Sequence, residues 1–218
     1  MLKTAGPAID AESLLPLDGA LITHDHHIDH LDHSGRSLLP SIPQIITTTE
    51  GAARLGGTTK GLADFEQTML PLPDGGNLLV TALPAQHGPD EIAASTGQVI
   101  GFLLSGAGLP SIYISGDNWS LDIGRMIAER IAPVDVAIMY GGGARFAELL
   151  DGAEITMPKE DSVKVAKMLS ARQIIPAHTE GWAHFKEGYQ EFRTAFYDGG
   201  LGQAFIDAAF GERIVLRI

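Results

Sequence analysis

Cysteine is absent from this 218-residue chain. Its absence excludes a disulfide scaffold, a thiol nucleophile and any site built on thiolates. Cationic side chains are scarce as well: 15 Lys+Arg stand against 27 Asp+Glu, a net charge of −12. Such a molecule repels phosphate backbones rather than gathering them, so nucleic acid is not an expected partner. Long apolar runs are missing too. The most apolar stretch, residues 98–114, is interrupted by Gly101, Ser105, Gly106, Gly108 and Pro110. It reads as two strands around a turn, not as a membrane span. Residues Met1 to Pro7 carry no apolar signal core, which makes a cytoplasmic location without membrane contact the expectation. With 44% hydrophobic and 19% charged residues, the composition is that of an ordinary globular chain.

Short β-like runs alternate with helical patterns and glycine-rich loops. Strands are expected at 20–23, 44–48, 77–83, 98–104, 111–115, 134–139, 173–176 and 213–218. The run 134–139, bounded by Pro133 and by Gly141-Gly142-Gly143, has the pattern of a strand buried on both faces. Helices are expected at 50–55, 120–131 with Ser120 as N-cap, 160–171 and 185–197. No repeat, low-complexity tract or linker breaks this order. Residues 1–218 are therefore expected to form a single domain of the layered α/β (α+β) class, with helices packed on sheets.

Histidine is what the chain holds in unusual concentration. Five of its eight, His24, His26, His27, His30 and His33, fall within ten residues, where even spreading would place about 0.4. They alternate with Asp25, Asp29 and Asp32 just after a predicted strand, in a loop and the start of a helix. Imidazoles interleaved with carboxylates are a ligand set for Zn²⁺, Mn²⁺ or Fe²⁺. By themselves they say metal and not reaction. Three more residues, His87, Asp117 and His178, each lie just past the end of a predicted strand. Strand ends along one edge of a layered sheet converge, so all three are expected beside the cluster.

Taken in order, the His/Asp cluster, the lone His87, Ser115-Gly116-Asp117 and Pro176-Ala177-His178 resemble the metallo-β-lactamase-fold hydrolases over residues 20–185. Together with Gly141 to Phe146 they look closest to the branch that contains L-ascorbate-6-phosphate lactonase and related metal-dependent hydrolases. The resemblance implies an αβ/βα four-layer sandwich and two divalent ions, Zn²⁺ first, with Mn²⁺ or Fe²⁺ as alternatives. Carried over by position, it makes His27, Asp29 and His30 members of the first motif and His87 the third ligand of the first ion. Asp117 becomes the bridging carboxylate and His178 the remaining ligand of the second ion. The first position departs from the pattern. Strict spacing back from Asp29-His30 puts Asp25 there, with His24 one residue early; a one-residue bulge would instead let His24 and His26 bind. Strict spacing is preferred, because a shift of one residue turns a side chain to the opposite face of extended backbone. A second departure is that the strand pair which normally precedes the motif has little room before Thr23. The first N-terminal strands are expected to be missing, and the exposed edge to favour a homo-oligomer.

The chemistry implied is hydrolysis by a metal-bound hydroxide, because two such ions lower the pKa of bound water toward about 7. Asp29 is the expected catalytic residue, orienting or deprotonating the nucleophile. The expected substrate is a small ester, lactone or phosphoester. Thr23, Asp32 and Glu180 are candidates to hold the imidazoles. Arg145 and His184 are candidate substrate contacts, against plainer readings as a salt bridge and a packed side chain. Two alternatives stay open. A metal-dependent nuclease, similar to tRNA-processing members, would want a basic stripe where only Lys159, Lys164, Lys167 and Arg172 group together. A degenerate, non-catalytic metal-binding protein is prompted by the irregular first motif.

Overall fold

The computed structural model describes residues 1–218 apart from 74, 148, 149, 208, 217 and 218. A small sheet is formed by β1 (Ala20–Leu21), β2 (Ile45–Thr48) and β3 (Thr59–Leu62), all parallel. The larger sheet runs β4 (Gln67–Pro71), β5 (Asn77–Pro84), β6 (Ile100–Gly106), β7 (Leu109–Ile114), β8 (Val136–Tyr140) and β9 (Gln173–Ala177) in spatial order. Its first four strands pair antiparallel, and β7, β8 and β9 pair parallel. The helices are α1 (His33–Leu38), α2 (Thr49–Leu55), α3 (Asp90–Thr96), α4 (Leu121–Ile131), α5 (Lys159–Met168) and α6 (Tyr189–Asp198).

The two-residue period of the strands divides the core into layers. Val80, Ala82, Ile100 and Phe102 pack against Ile46 and Leu62 of the small sheet. Leu83, Tyr113, Ala137 and Met139 point the opposite way, into a core shared with Ile127 of α4, Val165 of α5, and Phe192 and Phe196 of α6. The helix α2 packs on β2 and β3 at the other side. Helix, sheet, sheet, helix is the αβ/βα sandwich. Ser120 caps α4 as expected, its hydroxyl accepting from the amide of Ile123.

Three elements went unread in the sequence. The strands β3 and β4 carry few apolar residues and are held by pairing to β2 and β5. The helix α3 starts after Pro89 with Asp90 and Glu91 in its first turn. The expected last strand is a correction: Arg213 to Leu216 form none, and residues 217–218 lie outside the described part. The reason is that the free edge of β9 is already occupied. Ile174 donates to Ala204 at 2.8 Å and accepts from Ile206 at 2.9 Å, which leaves Val215 75% exposed. Among the described residues no strand precedes β1. Residues 2–5 pair instead with the 181–183 loop, through Thr4 donating to Gly181 (2.8 Å) and Ala183 donating to Leu2 (3.0 Å). No helix among the described residues is long and apolar enough to cross a membrane.

The segment after α6 is strapped back by Asp207. It accepts from Arg193 at 2.7 and 3.1 Å, from the Tyr189 hydroxyl at 2.7 Å and from that of Tyr197 at 3.0 Å. Hydrogen bonding by Arg193, more than burial opposes, brings the Asp207 carboxyl down to about 2. A pKa below the unfolded value near 3.9 means stabilisation that is complete above about pH 5 and lost as pH falls through 2. Because Asp207 is 43% exposed, screening holds that stabilisation under about 1 kcal/mol. Asp207→Asn is expected to lower the urea midpoint slightly at pH 7, with the gap closing between about pH 4 and 2. A gap undiminished at pH 2 would contradict this assignment.

Candidate metal centre

Every chemistry-bearing residue sits where a strand gives way to a loop. After β1 the chain makes two last sheet-like bonds, Ile22 donating to Ile46 (2.9 Å) and Thr23 accepting from Ile100 (3.0 Å). It then turns, with the amides of His30 and Leu31 both donating to the His27 carbonyl at 3.2 and 3.0 Å. His87 follows β5, Asp117 follows β7, Tyr140 ends β8 and His178 follows β9. Asn118 accepts from the Gln86 amide at 3.1 Å, which fastens the His87 loop beside Asp117. Gly116 has φ 59°, and a Cβ there would stand 2.6 Å from the carbonyl oxygen of Ile100, so only glycine lets Asp117 approach this closely. His178 itself is held at φ 57°, a strained conformation of the kind that clusters at functional sites.

The side chains form two groups joined by Asp117. In the first, His24, His87 and Asp117 converge, with His27 and His26 beside His24; in the second, Asp29, His30 and His178 converge. Asp117 Oδ2 lies 3.4 Å from His87 Nε2, 4.0 Å from His24 Nε2 and 3.0 Å from His30 Nε2. Its Oδ1 lies 3.6 Å from His178 Nε2. The remaining ring nitrogens are taken up from outside. His87 Nδ1 donates to the Ile155 carbonyl at 2.7 Å and His178 Nδ1 to that of Gly141 at 3.4 Å. Thr23 Oγ1 sits 3.1 Å from His24 Nδ1 and 3.3 Å from His30 Nδ1.

These contacts settle whether a cation fits. A carbonyl only accepts, so the Nδ1 atoms of His87 and His178 carry the protons and, in neutral rings, their Nε2 atoms are lone pairs. Those lone pairs face carboxylate oxygens and other ring nitrogens: His87 Nε2 is 3.3 Å from His27 Nδ1, and His178 Nε2 is 3.1 Å from His30 Nε2. His24 Nε2 and His27 Nδ1 approach to 3.1 Å as well. In addition, Asp29 Oδ1 and Asp117 Oδ1 are buried without a hydrogen-bond partner. Converging lone pairs and orphaned carboxylate oxygens call for positive charge, and nitrogen and oxygen donors in this mixture suit borderline to hard divalent ions.

Electrostatics express the same demand. Burial lowers the pKa of His24 and His87, and brings His27 to about 4, so these rings stay neutral as ligands must. Burial works to raise Asp117, but the surrounding His178 and His30 outweigh it and hold the carboxyl well below its ordinary range. For Asp29, burial is likewise outweighed, by the neighbouring His178 and by the hydrogen bond with His184. Burial, followed by the charge of Asp117, pushes Tyr140 up to about 12, so its phenol keeps its proton at neutral pH.

Several sequence candidates land elsewhere. The expectation that strict spacing turns Asp25 inward is corrected: its carboxylate is gripped by Arg54 at 2.6–3.1 Å and approached by Arg36 at 3.6 Å. The spacing rule presumed extended backbone, whereas the chain is already turning, and it is His24 that reaches the cluster. His26 Nε2 bonds the Thr96 carbonyl. His33 is exposed at the start of α1, and Asp32 caps that helix through the Gly35 amide (2.8 Å). Arg145 as a substrate contact is also corrected, because its guanidinium pairs with Glu154. His184 is neither free for substrate nor merely packed: its Nε2 holds Asp29 Oδ2 at 2.9 Å.

A cleft of 260 Å³ opens on the second group, lined by Asp29, His30, Tyr140, His178, Glu180, Trp182 and Phe185. The sequence reading missed the walls Tyr140, Trp182 and Phe185. For Tyr140 the signal was available, since it too ends a strand on the catalytic edge.

Comparison with known proteins agrees with this geometry. The model of the beta-lactamase superfamily domain matches residues 2–179. A UPF0173 metal-dependent hydrolase of Pyrococcus abyssi is 25% identical over 187 residues, covering 86% of this chain and 77% of that protein. Among solved structures, the isothiocyanate hydrolase from Delia radicum gut bacteria superposes with a TM-score of 0.79 at 25% identity, covering 97% of this chain and 82% of that one. The metallo hydrolase Igni18 of Ignicoccus hospitalis, at 21% identity and a TM-score of 0.71, covers 94% and 83% and shares the fold. With its sandwich, its strand-end ligands and a family match over most of its length, this chain belongs to the beta-lactamase superfamily domain family and has the metallo-β-lactamase fold.

Proposed function

We propose that this protein, a metal-dependent hydrolase, holds two divalent ions and cleaves a small uncharged acyl compound, an ester or a lactone. The observation that carries the reading is Asp117, whose carboxylate faces both imidazole groups: Oδ2 lies 3.4 Å from His87, 4.0 Å from His24 and 3.0 Å from His30, and Oδ1 lies 3.6 Å from His178. His24, His27 and His87 would hold one ion, Asp29, His30 and His178 the other, with Asp117 between them. Zn²⁺ suits the imidazole-rich set best, with Mn²⁺ or Fe²⁺ as alternatives. Divalent ions in such a pair supply a water of pKa near 7 and a Lewis acid for a carbonyl.

The chain's own residues do the rest. His184 orients Asp29 at 2.9 Å, leaving Oδ1, which has no hydrogen-bond partner, to accept a proton from the attacking water. The phenol of Tyr140, protonated at neutral pH, donates to the substrate oxygen as charge develops. Trp182 and Phe185 supply an apolar wall that excludes water. Charge narrows the substrate class. None of the described residues lining the cleft is Lys or Arg, and Glu180 and Asp29 are acidic, which disfavours phosphoesters and polynucleotides. The isothiocyanate hydrolase that shares this fold acts on an uncharged electrophile too. Self-association through the open edge of β1 belongs to the same proposal, and size-exclusion chromatography showing a monomer would remove that part.

Protein stripped with chelator and reloaded with Zn²⁺, Mn²⁺ or Fe²⁺ is expected to turn over p-nitrophenyl acetate, a small lactone or benzyl isothiocyanate. The same protein is expected to work at least about 10²-fold more slowly on bis(p-nitrophenyl) phosphate. Preference for the phosphodiester would overturn the substrate class. No turnover by protein carrying two ions would overturn the hydrolase reading in favour of metal binding alone.

A further inference from the structure

Next to the cleft lies a second cavity, a groove of 710 Å³ between residues 5–11, the helix α1 and residues 210–213. Glu180 and Trp182 line both spaces, so the two are neighbours that share a wall. The cleft alone admits a small reacting group, whereas the groove has the volume usual for a ligand. Its lining is dominated by apolar groups, among them Ala8, Ile9, Leu38, Trp182 and Phe210. Ile9 is 45% exposed and Phe210 66%, and large apolar side chains clustered beside a catalytic opening mark a binding surface. Among the described residues, the groove lining holds two cations, Lys3 and Arg213, against Asp32, Glu180 and Glu212. Lys3 pairs with Asp32 at 3.4 Å and lies 5.5 Å over the Trp182 ring, so the lining carries no surplus of positive charge to favour an anion. The groove is also pre-formed, since the hydrogen bonds of residues 2–4 to Gly181 and Ala183 fasten one wall to the loop that carries Trp182.

We propose that this groove binds the apolar tail of an acyl substrate whose reactive carbonyl lies in the cleft, so that the enzyme favours esters of medium-chain acids. The proposal rests on the hydrolase reading and adds the substrate's second half. The shared wall of Glu180 and Trp182 is what selects a substrate tail over other occupants. A molecule held in the cleft and longer than it would extend past Trp182 toward the groove, and a partner docked from outside has no need of a groove that borders the cleft.

The test is a series of p-nitrophenyl esters from acetate to decanoate on the metal-loaded protein. KM is expected to fall roughly three- to fourfold per added methylene up to about octanoate and then level off. Ile9→Ser and Phe210→Ser are expected to reduce the octanoate-to-acetate ratio of kcat/KM about tenfold. Ala8→Trp, which fills the groove rather than opening it, should do the same. In parallel, the fluorescence of N-phenyl-1-naphthylamine reports groove binding without turnover, and octanol should displace the dye from the parent but find none to displace in Ala8→Trp. Acetate turnover with a flat chain-length series and no dye binding would overturn the proposal while leaving the hydrolase intact. Dye displaced by octanol with no ester turned over would overturn the hydrolase reading and keep the groove as an apolar-ligand site. A dimer that Phe210→Ser dissociates, with the ester series unchanged, would mean that a second copy of the chain covers the groove.

Discussion

Asp117→Asn is expected to lower kcat/KM by at least about 10³-fold and to reduce bound metal from about two ions per chain to one or none. The carboxylate is 1% exposed and its atoms approach the imidazoles of both halves of the site, His24, His87 and His30 through Oδ2 and His178 through Oδ1. An amide keeps the shape and loses the charge, and it turns an N–H toward lone pairs that no longer have a cation to share. The loss should therefore exceed that from replacing any single histidine, which leaves the joining group in place. Elemental analysis on freshly purified protein, with turnover of p-nitrophenyl acetate, checks the expectation. Two retained ions and more than about a tenth of the activity would show that the carboxylate does not join the two sites.

The second large effect separates two neighbours. His24→Ala is expected to lose one ion and at least about 10²-fold in activity while folding normally. Asp25→Ala is expected to keep both ions and to lose stability instead, by about 1–3 kcal/mol, which for a chain of this size is a fall in Tm of roughly 2–10 °C. The reason lies in where each side chain goes. Asp25 is 1% exposed and its carboxylate is held by Arg54 and Arg36; removing it strands part of two guanidinium groups whose outer ends remain hydrated, so the cost stays below that of a fully buried pair. Metal content and a thermal melt on each variant decide the matter. Loss of metal in Asp25→Ala with His24→Ala intact would restore the strict spacing.

Much of this molecule can be read without coordinates. Alternation in the strands predicts β5 and β7 through β9 to within a few residues, because a strand buried on one or both faces must show its period in its own composition. Ser120 announces α4, and His87, Asp117 and His178 are recognisable because each closes an apolar run. The unread elements are those whose stability comes from a neighbour: β3 and β4 are held by β2 and β5, and residues 213–216 lack a strand because residues 204–206 already occupy the edge of β9.

What the sequence by itself determined is the inventory: an acidic, cysteine-free layered α/β chain that places imidazoles and carboxylates at its strand ends. Those are consequences of local composition and period, and they survive any detail of packing. Only the tertiary structure decided which atoms meet. It turned His24 rather than Asp25 toward the cluster, gave Arg145 to Glu154 and His184 to Asp29, and walled the cleft with Tyr140, Trp182 and Phe185. His184 stands 155 positions from Asp29 and His178 stands 148 from His30. Contacts across such separations depend on how loops turn at the sheet edge, and the direction of a side chain in a turn follows no period that a sequence can display.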